Sequence, residues 1–336
     1  MDNLTHTLTG LMMTRAGLAK QGQRGGALMI MLAANAPDMD VLWSGLPGGL
    51  RYFELHRSFT HSLLFAPVVA IVPLLAARAF ARASISLWAY FACLIAVLSH
   101  LALDLTNAYG VRLLLPFSSR WFRLDATDII DPWILLILLT ALAAPGLAGL
   151  VSSEIAGRRA ASPKYAWAWF ALIAIFCYDG FRLAAHQRAI AVMSSRLYGS
   201  LQPPRFTALP DRINPLRWRG IVQTEDFVVS TNMLLTEDYD PNVFGRVDYP
   251  TKNSAAIDAA KTTEPFRVME KFDQLPFWKV SPAGDAVLVE LVDLRFGSPQ
   301  RPGFATASAL VNPDGLVREA RLGPIGRLPL SSVPVF

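Results

Sequence analysis

The sequence predicts a mainly α-helical membrane protein. About four transmembrane helices are expected, with N-terminal and re-entrant helices before them and a small soluble α+β domain after them. Three observations carry this prediction. Of the 336 residues, 53% are hydrophobic and only 17% charged, which is too apolar for an ordinary soluble protein. Four apolar stretches, about 63–80, 87–106, 129–151 and 166–185, each approach the roughly 20 residues that a helix needs to cross a bilayer. Near residue 200 the composition changes, and Pro203-Pro204 opens a polar stretch with scattered Pro, Gly and charge. The expected division is a helical membrane domain over 1–198 and a β-rich soluble domain over 199–336.

In order along the chain, residues 4–18 read as a helix capped by Asp2 or Asn3. Leu4, Leu8, Leu11, Met12 and Leu18 give it an apolar side, with His6 and Thr9 off that side. Gly22 to Gly26 reads as a flexible break. Residues 27–34 are apolar but too short to span, so a buried or re-entrant helix is expected, stopped by Asn35-Ala36-Pro37. Residues 43–50 form a Gly/Pro loop. Pro67 and Pro73 are expected to bend the first span. Trp88, Tyr90, Trp133, Trp167 and Trp169 lie near span ends, as interfacial aromatics do. Beyond residue 200, the stretches 219–234 and 286–296 read as strands, and 253–273 reads as helix. Two more short strands flank Asn312-Pro313-Asp314-Gly315, a hairpin turn signal.

Net charge is +5, which in such a chain indicates basic loops against anionic lipid. No basic stripe interleaves with aromatics, so no nucleic-acid partner is expected. Cys93 and Cys177 lie in apolar runs and read as buried small hydrophobes without a disulfide. The first residues lack the basic region of a secretory signal peptide, so insertion through internal spans is expected. With four spans, the N-terminal region, the 107–128 loop and the C-terminal tail share one face. Arg51, Arg57, Arg112, Arg120, Arg123, Arg188 and Arg196 flank that face, and Arg78, Arg82, Arg158, Arg159 and Lys164 flank the other. The candidate ligands fall on the first face, which is taken as cytoplasmic.

Four of the five histidines, His6, His56, His61 and His100, fall within the first 100 residues. His100 and Asp104 are four apart, so a helix puts both on one face, close enough to grip one ion. Ionisable groups in an apolar span are costly and mark function. The bland alternative is a His–Asp hydrogen bond stitching helices together. Asp38 and Asp40 sit in a turn that Pro37 rigidifies, and either a metal bridge or simple capping fits them. His56 and His61 are five apart and on a helix would point about 140° from each other. They need not share an ion, and one can be a ligand while the other handles protons. Between them, Arg57 suits a carboxylate or an anionic substrate group such as phosphate. Thr60 and Ser62 are placed to orient the histidines. His6 reads as a half-exposed helix residue. Asp125, Asp128 and Asp131 read chiefly as caps of the third span. Asp179 with Arg182 reads as an ion pair, and His186 as a surface residue. There is no Gly-rich phosphate loop, no G-x-S-x-G elbow and no cysteine nucleophile. A metal-activated water is the remaining nucleophile, since bound zinc lowers water's pKa to about 7.

Several motifs together carry a family resemblance: Met1-Asp2 to Thr5-His6 and Gly10, Ala36-Pro37-Asp38-Met39-Asp40, His56-Arg57-Ser58-Phe59-Thr60-His61-Ser62, and His100-Leu101-Ala102-Leu103-Asp104. They resemble the YdjM/YfhP-like family, bacterial inner-membrane proteins described as membrane-bound metal-dependent hydrolases. The run Asp104 to Gly110 and Pro116-Phe117-Ser118 are similar to its longer members. Family members often carry Gly after His-Arg, where this chain has Ser58. The order His, Asp, His, then His-x-x-x-Asp is also similar to that of zinc-dependent phospholipase C and P1 nuclease, whose later ligands have no clear counterparts here.

The resemblance implies a multi-pass protein of the bacterial inner membrane with a metal site. His6, Asp38, His61, His100 and Asp104 would be ligands of Zn²⁺, or alternatively Mn²⁺. His56 and Asp40 would act as ligand or acid and base, and Arg57 would steady the substrate. A site at the interface suggests an amphiphilic small molecule or a lipid, such as a lipid-linked phosphoester. The competing readings are a transporter using the same residues as a relay, and a non-catalytic membrane scaffold.

Overall fold

The computed structural model describes residues 1–20, 23–45, 48–156, 164–199, 202 and 204–325, without the side chains of 151–156. Gly22, Pro203, and Arg158 and Arg159 of the second-face loop lie outside the described residues. The helices are α1 (Asn3–Met13), α2 (Gly26–Asn35), α3 (Val41–Ser44), α4 (Leu50–Leu55), α5 (Ala66–Val69), α6 (Ile71–Ala81), α7 (Leu87–Thr106), α8 (Pro132–Ala156) and α9 (Lys164–Ser194). After them come β1 (Arg205–Pro210), β2 (Arg217–Gln223), β3 (Val228–Leu234), α10 (Pro241–Phe244), β4 (Gly245–Asp248), α11 (Ala255–Lys261), α12 (Glu264–Phe272), β5 (Pro276–Ala283), β6 (Ala286–Asp293), β7 (Thr306–Val311) and β8 (Val317–Leu322). Contacts divide the chain into two compact units, and the division is not linear. One comprises Met1–Met39, Arg57–Arg188 and Pro210–Trp218. The other comprises Asp40–His56, Ala189–Leu209 and Arg219–Phe336.

In the first unit, Asp2 caps α1 by accepting from the Thr5 N–H at 3.0 Å. The helix buries Thr5, His6, Leu8, Thr9, Gly10 and Met12, while Leu4 is exposed. This corrects the apolar-side reading, which put His6 and Thr9 off the packed face. The reason is Gly10: a Cβ there would lie 3.0 Å from the Ala34 Cβ, so α1 meets α2 along its small and polar face. Around α2, small residues of α5, α6 and α7 (Ala66, Ala70, Ala77, Ala92, Ala96) form a close-packed core with Met29 and Ile30. Such residues let helix backbones approach closely where lipid offers no hydrophobic drive.

Among the described residues, three helices are long and apolar enough to cross a membrane: Leu87–Thr106, Pro132–Leu150 and Lys164–Ser194. A fourth candidate is a bent pair, Leu50–His61 with Ala66–Ala81. The expected first span is therefore not a single bent helix over 63–80. Pro67 and Pro73 fall in the first turns of α5 and α6, where a missing N–H breaks no intrahelical bond. Asp131 caps α8, accepting from the Trp133 and Ile134 N–H groups at 3.0 and 3.3 Å, and also receives the Tyr178 hydroxyl of α9.

Three expectations on α9 fail. Arg182 does not pair with Asp179. It is fully buried, donates to the Ala126 carbonyl at 2.8 Å and to that of Pro215, and lies over the Trp218 ring. His186 is half-buried with its ring 5.6 Å from that of Trp218, so it is not a surface residue. Cys93 is buried as expected, but Cys177 is exposed.

Among the described residues are two four-stranded sheets, ordered β1-β2-β3-β4 and β5-β6-β7-β8. The latter is an antiparallel meander in which Leu291 of β6 lies between Trp278 and Ala307. The Asn312–Gly315 turn joins β7 to β8 as expected, with Gly315 at φ 83° and its N–H on the Asn312 carbonyl. The helical reading of 253–273 resolves into α11 and α12, and α12 buries Phe266, Met269 and Phe272. Strands β1, β4 and β5 escaped the sequence reading. Pro210, Pro276 and Pro282 mask two of them, and β4 has only four residues.

Candidate metal centre

Three separate stretches deliver four donors to one point. Helix α7 presents His100 and Asp104 one turn apart, both fully buried. The short 3₁₀ turn Ala36–Asp40 that ends α2 presents Asp38. A second 3₁₀ turn, Phe59–His61, presents His61. One donor atom from each of Asp38, His61, His100 and Asp104 lies within 4.8 Å of all the others. The His61 Nε2 is 3.2 Å from the His100 Nε2, 3.4 Å from the Asp38 Oδ1 and 3.3 Å from the Asp104 Oδ2. The His100 Nε2 is 3.5 Å from the Asp38 Oδ1 and 3.4 Å from the Asp104 Oδ2.

The local bonds aim lone pairs inward. The His100 Nδ1 is 2.7 Å from the Ala34 carbonyl, which can only accept, so the ring proton sits on Nδ1 and Nε2 keeps its lone pair. The His61 Nδ1 is held by the Thr60 hydroxyl at 3.1 Å. Ser62 does not share that task as expected, because its hydroxyl donates to the Leu115 carbonyl. The Asp38 Oδ1 and Asp104 Oδ2 are buried and accept no hydrogen bond. Two such carboxylate oxygens facing two imidazoles are costly in a dry interior unless a cation joins them. Burial by itself would raise the Asp38 pKa, but the neighbouring His100 and His61 rings outweigh it and hold the carboxyl well below its usual range.

Arg57 closes the outer side of the cluster. Its backbone is left-handed at φ 54°, a strain of about 1–2 kcal/mol that marks a constrained site. The guanidinium is buried, 2.9 Å from the Asp104 Oδ1, 3.2 Å from the Asn107 Oδ1 and over the Tyr109 ring. The Met1 amino nitrogen meets the same Asp104 oxygen. Asp104 is thus divided, with Oδ1 toward the Arg57 guanidinium and the Met1 amino group and Oδ2 toward the four-donor group. Asn107 and Tyr109 were not singled out from their chemistry, although they follow Asp104 by only three and five residues. Asn107 also accepts the Tyr109 N–H at 2.9 Å, which fixes the turn leaving α7.

His6 lies beside this group but outside it. Its ring stacks on His100 with centroids 3.7 Å apart, and its Nε2 is 3.5 Å from the Asp104 Oδ1. Burial, then the His100 charge, lowers its pKa well below the ordinary histidine value, so the ring is neutral. Asp40 and His56 pair with each other at 2.9 Å in the second unit, and Tyr52 stacks on His56. Asp125 pairs with Arg123, and Asp128 with Arg212; neither belongs to the group of donors.

Comparison with known proteins adds to this geometry. The chain is 25% identical over 314 residues to YfhP of Bacillus subtilis (strain 168), described as an uncharacterized protein, covering 89% of this chain and 88% of that one. No solved structure matches. The model of the YdjM inner membrane protein family matches residues 1–189, the stretch that supplies all four donors, and the chain belongs to that family.

Proposed function

We propose that the protein is an integral-membrane, metal-dependent hydrolase that holds one divalent ion through Asp38, His61, His100 and Asp104. The observation that carries this reading is the spacing of the donors, 3.2–3.5 Å along five edges. A tetrahedral zinc with ligands at about 2.0–2.1 Å sets its donors roughly 3.3–3.4 Å apart. An octahedral magnesium at similar distances would set neighbours about 2.9 Å apart. Two carboxylates and two imidazoles also match a dication such as zinc or manganese in chemical type. Zinc is the first candidate and manganese the second. One ion is favoured over several, because the Asp104 Oδ1 is already held by Arg57.

When bound, such an ion polarises an ester or phosphoryl oxygen and lowers the pKa of water to about 7. The protein's own residues do the rest. Of the four residues that would hold the ion, Asp38 has 11% of its side chain exposed against none for the other three, so water or substrate would approach from its side. Arg57 orients Asp104 through its contact with Oδ1. His6 offers a neutral imidazole as a further ligand beside Asp104. His56, with its Nδ1 fixed by Asp40, is assigned to proton transfer. The ligand-bearing α7 is also a candidate span. That supports an amphiphilic substrate, a lipid or lipid-linked ester or phosphoester, met by a multi-pass protein in the bacterial inner membrane. Arg112, Arg120 and Arg123 in the loop after α7 support a cytoplasmic site face.

The test is the metal content of the detergent-purified protein beside a His100→Ala/Asp104→Ala double variant. About one zinc or manganese per chain is expected in the parent and none in a still-folded variant. A parent that holds no metal even after reloading would sink the hydrolase reading. Stoichiometric metal without release of product from any lipid phosphoester or ester would leave a metal protein without hydrolase activity.

A further inference from the structure

The segment Asp40–His56 separates two stretches that carry ligands. Asp38 lies two residues before its start, and Arg57 and His61 follow its end. Yet by contacts the segment belongs with the C-terminal domain and not with the helical unit. Its ends are clasped to each other by the Asp40–His56 pair, so it forms a closed loop. Tyr52 stacks on His56 at 4.4 Å and stiffens that neck. The next residue, Phe53, is 2% exposed and is the anchor. Its ring lies edge-on to Phe272 at 4.8 Å and parallel to Phe304 at 6.0 Å. Phe296 completes the socket, 4.8 Å from Phe304. The Arg295 guanidinium covers both Phe272 and Phe296 and is itself fixed by the buried Asp293 carboxylate. Rings so arranged attract one another edge to face and in offset stacks, beyond what burial alone gives. The socket is therefore rigid, and α4, which carries both Tyr52 and Phe53, transmits its position to the clasped neck.

From this arrangement we infer that Phe53 is a positioning residue for the metal centre, and that the C-terminal domain sets the registration of Asp38 and His61 by gripping this loop. The inference rests on the metal-centre reading above. Nothing at Phe53 touches a donor; it acts through the chain, by fixing both ends of the loop from which Asp38 and His61 depart.

The experiment uses the full-length protein in detergent, loaded with Zn²⁺ for affinity and with Co²⁺ for its visible ligand-field spectrum. Phe53→Ala is compared with the parent, with Phe272→Ala and with the double variant. The expected result is a loss of metal affinity of about tenfold, the scale of lost support around a metal site, together with an altered Co²⁺ spectrum. Phe272→Ala should do the same, and the double variant should be little worse than either, since both break one contact. Phe53→Leu, which refills the socket, should restore most of the affinity. Val289→Ala, a core truncation of the same domain away from the socket, should lower the melting temperature and leave affinity and spectrum unchanged. If Phe53→Ala does not fold, Phe304→Ala decides: Phe304 is 41% exposed, so its truncation is mild, and a smaller loss of affinity in the same direction is expected. A folded Phe53→Ala or Phe304→Ala protein with parental affinity and spectrum overturns the inference. An equal effect from Val289→Ala overturns it too, by showing general destabilisation. A parent that binds no metal overturns instead the reading on which it rests.

Discussion

Helices α7 and α9 each place ionisable residues one turn apart in an apolar span, and they use them in opposite ways. On α7, His100 and Asp104 converge with Asp38 and His61, and the Asp104 Oδ2 is left without a hydrogen bond. On α9, Asp179 and Arg182 do not meet. Arg182 instead donates to the carbonyls of Ala126 and Pro215 and stacks on Trp218. The α9 arginine is absorbed by backbone carbonyls and becomes a structural bolt. The α7 pair is concentrated into a cluster of four convergent donors. The lesson is that a polar pair in a span carries no fixed meaning. What counts is whether the neighbouring elements bring hydrogen-bond partners that satisfy it or further lone pairs that do not.

The contrast can be broken most directly at His61. His61→Ala removes one donor, and metal affinity is expected to fall by about a hundredfold or more while the helices stay folded; equilibrium dialysis against a chelator checks this. Next in size is Arg182→Leu, which strands two buried carbonyls. We expect a loss of about 2–4 kcal/mol of stability, read as a lower melting temperature, with metal content unchanged. Loss of the ion there would show that α9 serves the site after all. A smaller effect is expected from Gly10→Ala. Its Cβ would press on Ala34, whose carbonyl holds the His100 ring. Overpacking of about 1–3 kcal/mol is expected, with a several-fold loss of metal affinity from the tilted imidazole. The smallest change belongs to Asp179→Asn. With no ion pair to Arg182 to lose, stability should shift by less than about 0.5 kcal/mol and metal content not at all.

Much of this was legible in residue order. The 20-residue apolar run of α7 and the His-x-x-x-Asp spacing within it depend on local geometry, and both hold; at Pro37 the chain does leave α2, but Ala36 before it is helical at φ −61° and ψ −33°, not extended as the proline rule suggests. The Asn312–Gly315 hairpin was legible for the same reason. His6 was misjudged because its helix looked amphipathic in the ordinary sense; Gly10 reversed which face is packed. Arg182 was misjudged because its partners are backbone carbonyls at Ala126 and Pro215, which no side-chain pattern announces. The first span, expected as one helix bent at Pro67 and Pro73, is broken instead, because prolines that break a helix interior are equally suited to begin a new helix.

By itself the sequence determined the apolar spans, the α7 face carrying His100 and Asp104, and the set of residues from which a metal centre had to be drawn. These follow from periodicities of a few residues and from the cost of ionisable groups in hydrocarbon. Only the tertiary structure decided that Asp38, His61, His100 and Asp104 meet, that His6 stands beside them, and that Asp40 and His56 clasp each other instead. Those outcomes depend on contacts between residues 16 to 66 positions apart, which are set by how helices pack and not by any repeat along the chain.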